Sequence, residues 1–180
     1  MKKTVIYVLV IAAIVASCGK ENSTELDTNY HLNCNIEGVP VNFNFNAYGA
    51  VLNDSGTMAL GVIGQTGDSV NASIFRFAIF SLEDSVKVPL GTYTDNETRF
   101  ETESVYNDMY NVIDYSAGQE MYDKSVAAGV NIQNHLIINI TELTDKIVRG
   151  TFSGDYYANS EISGAIKKIT NGDFYLKLQQ

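Results

Sequence analysis

Tryptophan is missing from this chain of 180 residues, and histidine, cysteine and proline occur only twice each. Each shortage removes a class of protein. His31 and His135 have no second histidine at i+2, i+3 or i+4 and no CxxC beside them, so the spacing of a zinc site is absent. The same two imidazoles are the only ones able to serve a serine or cysteine nucleophile, and no G-x-S-x-G elbow accompanies them. Two cysteines cannot make the disulfide framework of a small secreted scaffold. Basic residues are also scarce, 12 against 21 acidic for a formal charge of -9, which argues against nucleic acid as a partner because the positive footprint for a phosphate backbone is lacking. The one long apolar run, Thr4 to Ala16, reaches roughly 20 Å as a helix, short of the roughly 30 Å hydrocarbon core.

What that run does have is the layout of a secretory signal: Lys2 and Lys3 before it, and the small residues Ala16 and Ser17 leading into Cys18. The sequence VASCGK resembles the lipobox of bacterial lipoproteins. That resemblance implies a signal peptide over residues 1–17, cleavage before Cys18 and acylation of Cys18, whose several chains would give long-lived attachment where one chain is marginal. Gly19 stands where an aspartate would suggest inner-membrane retention, and Lys20-Glu21 is similar to sorting tags on surface lipoproteins of Bacteroidota, so the expected location is the outer membrane. Removing residues 1–17 takes away two of the 12 basic residues and no acidic one, which moves the charge from -9 to -11. Residues 18–29 carry one large apolar residue, Leu26, and read as a flexible tether.

From Tyr30 the period becomes two. Tyr30, Leu32, Cys34 and Ile36 alternate with polar residues, Gly38-Val39-Pro40 interrupts, and Val41, Phe43, Phe45 and Ala47 alternate again, which predicts a hairpin. Cys34, on the apolar side, reads as a buried structural cysteine. Further strands are expected at Thr57–Ile63, Ser73–Phe80, Leu136–Leu143, Lys146–Phe152, Gly164–Thr170 and Phe174–Leu178, with turns at Gly67-Asp68-Ser69, Thr144-Asp145 and Asn171-Gly172-Asp173. One short helix is expected around Ala117 to Ala128, between Gly118 and Gly129. Pro40 and Pro89 fall between strands, where a residue without an N–H does no harm to a ladder. Many short strands with turns between them give an all-β domain over residues 30–180, an antiparallel sandwich or barrel-like fold.

The segments CNIEGVPVNF, LIINITELTDKIVRGTFSG and KKITNGDFYLKL resemble small Bacteroidota outer-membrane lipoproteins of uncharacterised function. The resemblance runs from Cys34 to Leu178 and implies a β-sandwich-like domain and an envelope location. Its motifs are turn and strand signatures and carry no catalytic residue.

The candidate ligand-binding residues are Tyr106, Tyr110, Tyr115 and Tyr122, interleaved with Asn107, Asp108, Asn111 and Asp114 in a segment without a clean strand period. Two readings stand: a platform on which sugar rings or a protein stack, or ordinary core and rim residues closing one end of the sandwich. Glu97, Glu101, Glu103, Asp108 and Asp114 crowd the same region, either as a solvated acidic loop or as a source of paired carboxylates. Asp95, Asn96 and Glu97 offer hard oxygen ligands for calcium, without an EF-hand pattern; no other cofactor or metal is expected. Asp68-Ser69-Val70 and Asp84-Ser85-Val86 resemble the sites at which Bacteroidota O-glycosylate exported proteins, which makes Ser69 and Ser85 candidates for modification. The expectation is a non-enzymatic glycan- or protein-binding module on the cell surface. A structural or accessory subunit of an outer-membrane assembly is the alternative. A hydrolase, the third class, requires two carboxylates, or a histidine with a serine, to converge in one cleft.

Overall fold

A computed structural model describes residues 29–54 and 56–179. The expected signal peptide, Cys18 and the tether up to residue 28 lie outside the described residues. In chain order the elements are β1 (His31–Ile36), β2 (Val39–Asn42), β3 (Phe45–Asp54), β4 (Thr57–Gln65), β5 (Ile74–Ser81), β6 (Gly91–Thr94), β7 (Phe100–Asp108), β8 (Ile113–Gly118), α1 (Gln119–Ala128), β9 (Ile137–Leu143), β10 (Ile147–Ala158) and β11 (Ile166–Gln179). The domain is all-β, as expected. No helix of the described residues is long and apolar enough to cross a membrane.

The pairings divide the strands into two sheets that share corners. One sheet runs β2-β1-β11-β10-β9-β6 and the other β3-β4-β5-β7-β8. The long β10–β11 hairpin links them at both of its ends. Tyr157 and Ala158 pair with Ser116 and Tyr115 of β8, while Leu178 and Gln179 run parallel to Gly49 and Ala50 of β3. The result is a sandwich closed at two corners like a barrel, which spends backbone hydrogen bonds on closure and leaves β2 and β6 as edges. Pro40 sits on the β2 edge, where its missing N–H disturbs no ladder bond.

Between the sheets lies a phenylalanine-rich core. Phe75 stacks on Phe152 with centroids 4.6 Å apart, Phe77 meets Phe174 edge-on at 5.2 Å, and Phe43 packs on Phe75 at 5.5 Å. Each fully buried ring of this kind contributes about 1.5–3 kcal/mol. Cys34 belongs to the same core, and burial pushes its thiol up to about 12, so it is an inert core residue. One polar bridge crosses the interior: the Ser104 hydroxyl of β7 and the fully buried Tyr156 hydroxyl of β10 lie 2.7 Å apart, and Ser104 also donates to the Arg76 carbonyl.

The structure adds β6 and a parallel β3–β11 pairing to the expected antiparallel strands, and it departs from the sequence reading at three further places. The tyrosine-rich middle is a regular hairpin, β7–β8, with Tyr106 directly opposite Tyr115. Residues Asn171-Gly172-Asp173 do not turn the chain; they form a bulge inside the single strand β11, with Asn171 in the left-handed region at φ 52. Strands β1 and β10 grip β11 from both sides there, so the extra residue is absorbed as a bulge and the strand continues. The apolar alternation from Val41 to Ala47 is broken after Asn42, where Phe43 turns into the core and its N–H donates to the Leu32 carbonyl. The helix is where it was expected, bounded by Gly118 and by Gly129 at φ 65, whose N–H closes the last turn.

Candidate functional site

Four connections meet at one end of the β3-β4-β5-β7-β8 sheet. The register puts Gln65, Ile74, Asn107 and Asp114 in one row, so the β4–β5 connection and the β7–β8 turn are neighbours. The β10–β11 connection joins them: Asn159 N–H donates to the Asp114 carbonyl at 2.7 Å, the Ser160 and Ser116 hydroxyls lie 3.0 Å apart, and Lys167 reaches Asp108 at 2.7 Å. The β1–β2 turn is attached through the Glu37 N–H, which donates to the Lys168 carbonyl at 2.9 Å.

At this end the sequence-predicted tyrosines separate. Tyr106 and Tyr115 are buried and stack on one another at 6.0 Å, with the Lys167 ammonium 5.2 Å and 4.7 Å from their ring centres. They plug the sandwich. Tyr110, at the tip of the β7–β8 turn, is 89% exposed. Tyr122 lies on α1, away from the other three, with its ring 5.9 Å from that of His135. The four therefore do not make one stacking platform.

The turn that carries Tyr110 is held firmly. Asp108 accepts the side-chain and backbone N–H of Asn111, Asn107 donates to Asp114 at 2.6 Å, and Lys167 pairs with Asp108. Burial alone would push the Asp108 carboxyl up; the bonds from Lys167 and Asn111 outweigh it and hold the group below the usual aspartate range. Val112 takes φ 56, a left-handed conformation that a β-branched residue adopts only under strain, and is 84% exposed. Val70, in the β4–β5 connection, is 89% exposed. Sequence reasoning pointed to Tyr110 but missed Val70 and Val112, because exposure of an aliphatic residue leaves no mark in a pattern.

The remaining candidates are dispersed. Ser69 lies beside Val70 on the β4–β5 connection and Ser85 on the segment after β5; both are exposed, and Ser85 has φ 60. Glu101 and Glu103 point outward from β7 while Asp108 points between the sheets, so the acidic residues of that strand do not face one another across a cleft. Burial, with the like charges of Glu101 and Glu120, raises Glu103 to about 7 against the opposing pull of Arg76.

Asp95 is buried, and its two oxygens are occupied: Oδ1 accepts His135 Nδ1–H at 2.7 Å and Oδ2 accepts the Leu136 N–H at 3.1 Å. Asn96 accepts the Thr94 hydroxyl at 2.6 Å. Among the described residues no group of three histidine, cysteine or carboxylate side chains is placed to hold a metal ion. Asp95 does to His135 what an orienting acid does to a catalytic imidazole, yet among the described residues no hydroxyl or thiol is hydrogen-bonded to that ring. Likewise His31 is pinned between the Asn29 carbonyl and Asp173.

No family model, no curated protein and no solved structure matches this chain.

Proposed function

We propose that the chain is a non-enzymatic binding module, one of the small outer-membrane lipoproteins it resembles, held at the envelope by an acylated Cys18 and recognising a protein through the end where the four connections meet. The observation that carries this reading is the gathering of Val70, Tyr110 and Val112 there. They are the three most exposed large apolar side chains of the described residues. Exposed apolar tips on a rigid scaffold are the form taken by loop-borne recognition surfaces, and a tyrosine supplies contact area at small entropic cost. Around them Glu37, Asp68, Asp114 and Glu161 are exposed, against two exposed bases, Lys168 near the start of β11 and Lys124 of α1, whose ammonium donates to the Ser160 carbonyl. This suits a partner offering an apolar socket with a lysine- or arginine-rich rim. A glycan platform has less support, since Tyr106 and Tyr115 present no free face.

The test is a benzoylphenylalanine photocrosslinker at position 110 of the full lipidated protein in intact cells, compared with one at Val126 on α1. A discrete adduct from position 110 alone, weakened by Asp68→Lys with Glu161→Lys, supports the reading. No adduct, or the same adducts from both positions, overturns it. Incorporation of labelled palmitate that Cys18→Ala abolishes would support the anchor, and equal labelling of both proteins would refute it. The oriented His135 favours a hydrolase as a second reading. Turnover of p-nitrophenyl esters that His135→Ala removes would establish it.

A further inference from the structure

The two ends of the β3-β4-β5-β7-β8 sheet differ. At one, Tyr106, Tyr115, Lys167 and Asp108 plug the gap between the sheets. At the other, where β3 turns into β4, the gap is open as a cleft of about 410 Å³. Its walls come from both sheets: Val51 and Leu60, paired across β3 and β4, and Leu143 at the end of β9, with Val88 behind them. Leu60 and Val88 are buried beneath the cleft, and the apolar surface it presents comes from Val51, half-exposed at the mouth, and the partly exposed Leu143. The volume falls within the roughly 300–1,000 Å³ of ordinary ligand pockets, which favour the mouths of barrels.

The rim is polar and its charge is uneven. Lys87 is exposed at the edge of the cleft and has no ion-pair partner among the described residues. Thr144 uses its hydroxyl oxygen to accept the N–H groups of Lys146 and Ile147, which leaves only its proton to donate, and Asp145 has interactions of its own. An apolar floor with one available ammonium at the lip matches a molecule with a single hydrocarbon tail and an anionic head.

From this geometry we infer that the open end binds a single-chain amphiphile with a carboxylate head, tail along Val51 and Leu143 over the buried Leu60 and head against Lys87. This site is separate from the protein-binding end and stands or falls without it. The experiment is calorimetric titration of the chain secreted without its lipid (Cys18→Ala), in detergent-free buffer, with decanoate, decanol and decyltrimethylammonium below their critical micelle concentrations. Decanoate should bind one to one. Lys87→Gln should weaken decanoate about tenfold, the scale of one charge-assisted hydrogen bond, and leave decanol unchanged. Val51→Trp, at a half-exposed position where folding is spared, should abolish both. Absence of saturable decanoate binding, binding unchanged in Val51→Trp, or tighter binding of the cationic amphiphile would overturn the inference. So would flotation with phosphatidylglycerol vesicles that Val51→Trp prevents, since the cleft would then engage a bilayer and not a free acid.

Discussion

The ammonium of Lys167 on β11 lies 2.7 Å from the carboxylate of Asp108 on β7 and fastens the two sheets where Tyr106 and Tyr115 stack. Both partners are largely shielded, so the pair is worth more than a surface ion pair, and breaking it leaves a charge stranded beside two aromatic rings.

Asp108→Asn should therefore lower unfolding stability by about 2 kcal/mol at pH 7, the scale of a hydrogen bond to a charged group. The pH dependence has two limits. Asp108 is depressed in the folded state, so its contribution is present above the unfolded aspartate value of about 3.9 and is lost as pH falls through the lower native value. For Lys167, burial acts to lower the group, and Asp108 with the neighbouring tyrosines outweighs it and raises it. Its contribution is complete below the unfolded lysine value of about 10.4 and is lost as pH rises through the native one. Urea unfolding of wild type and variant should differ most between these limits and converge outside them.

Glu103 gives the opposite slope to Asp108. Its native value, raised to about 7 by burial and by Glu101 and Glu120, means that the folded protein holds a proton the unfolded chain has released. The stabilisation by that proton is complete below about pH 4.3 and is lost as pH rises through about 7. Glu103→Gln should thus melt higher than wild type at pH 8, by an amount on the order of 1–3 kcal/mol, and almost equally at pH 4. A thermal melt at the two pH values decides it.

The Ser104–Tyr156 bridge should behave as a coupled pair. Tyr156→Phe removes one hydroxyl, and Ser104 keeps the Arg76 carbonyl as acceptor, so the loss is about 1 kcal/mol. Ser104→Ala leaves the fully buried Tyr156 hydroxyl without this partner and should cost about 1–3 kcal/mol. The double variant should lose less than the two singles together, which a double-mutant cycle in denaturant measures directly.

The legible parts of this fold were the strands with an apolar inner face. Leu32, Cys34 and Ile36 announce β1, and Ile138 and Ile140 announce β9. The β7–β8 hairpin was hidden because β7 fills its inward positions with Thr102 and Ser104 between Phe100 and Tyr106, so strict alternation in space is not alternation in hydrophobicity. Asn171-Gly172 was misread because the dipeptide marks a left-handed backbone, and only the strands on either side decide between turn and bulge. The role of Asp95 could not be read at all. Its partners His135 and Leu136 are forty residues away, brought to it by the β6–β9 pairing. For the candidate site, the sequence offered Tyr110 only as one of four tyrosines, and its separation from Tyr106 and Tyr115 depends on which side of β7 and β8 each ring leaves.

Val112 offers the sharpest separation of stability from recognition. Its φ of 56 places a β-branched side chain in the left-handed region, which costs an ordinary residue roughly 1–2 kcal/mol and which asparagine tolerates far better. Its side chain is almost wholly exposed, so removing it forfeits little packing. Val112→Asn should therefore raise stability by about 1 kcal/mol in urea unfolding. If the turn exists to present Tyr110 and Val112 to a protein, the same variant should also weaken the position-110 crosslink. A gain in stability with undiminished crosslinking would place Val112 outside the recognition surface. A loss of stability would mean that the turn is not strained at this residue.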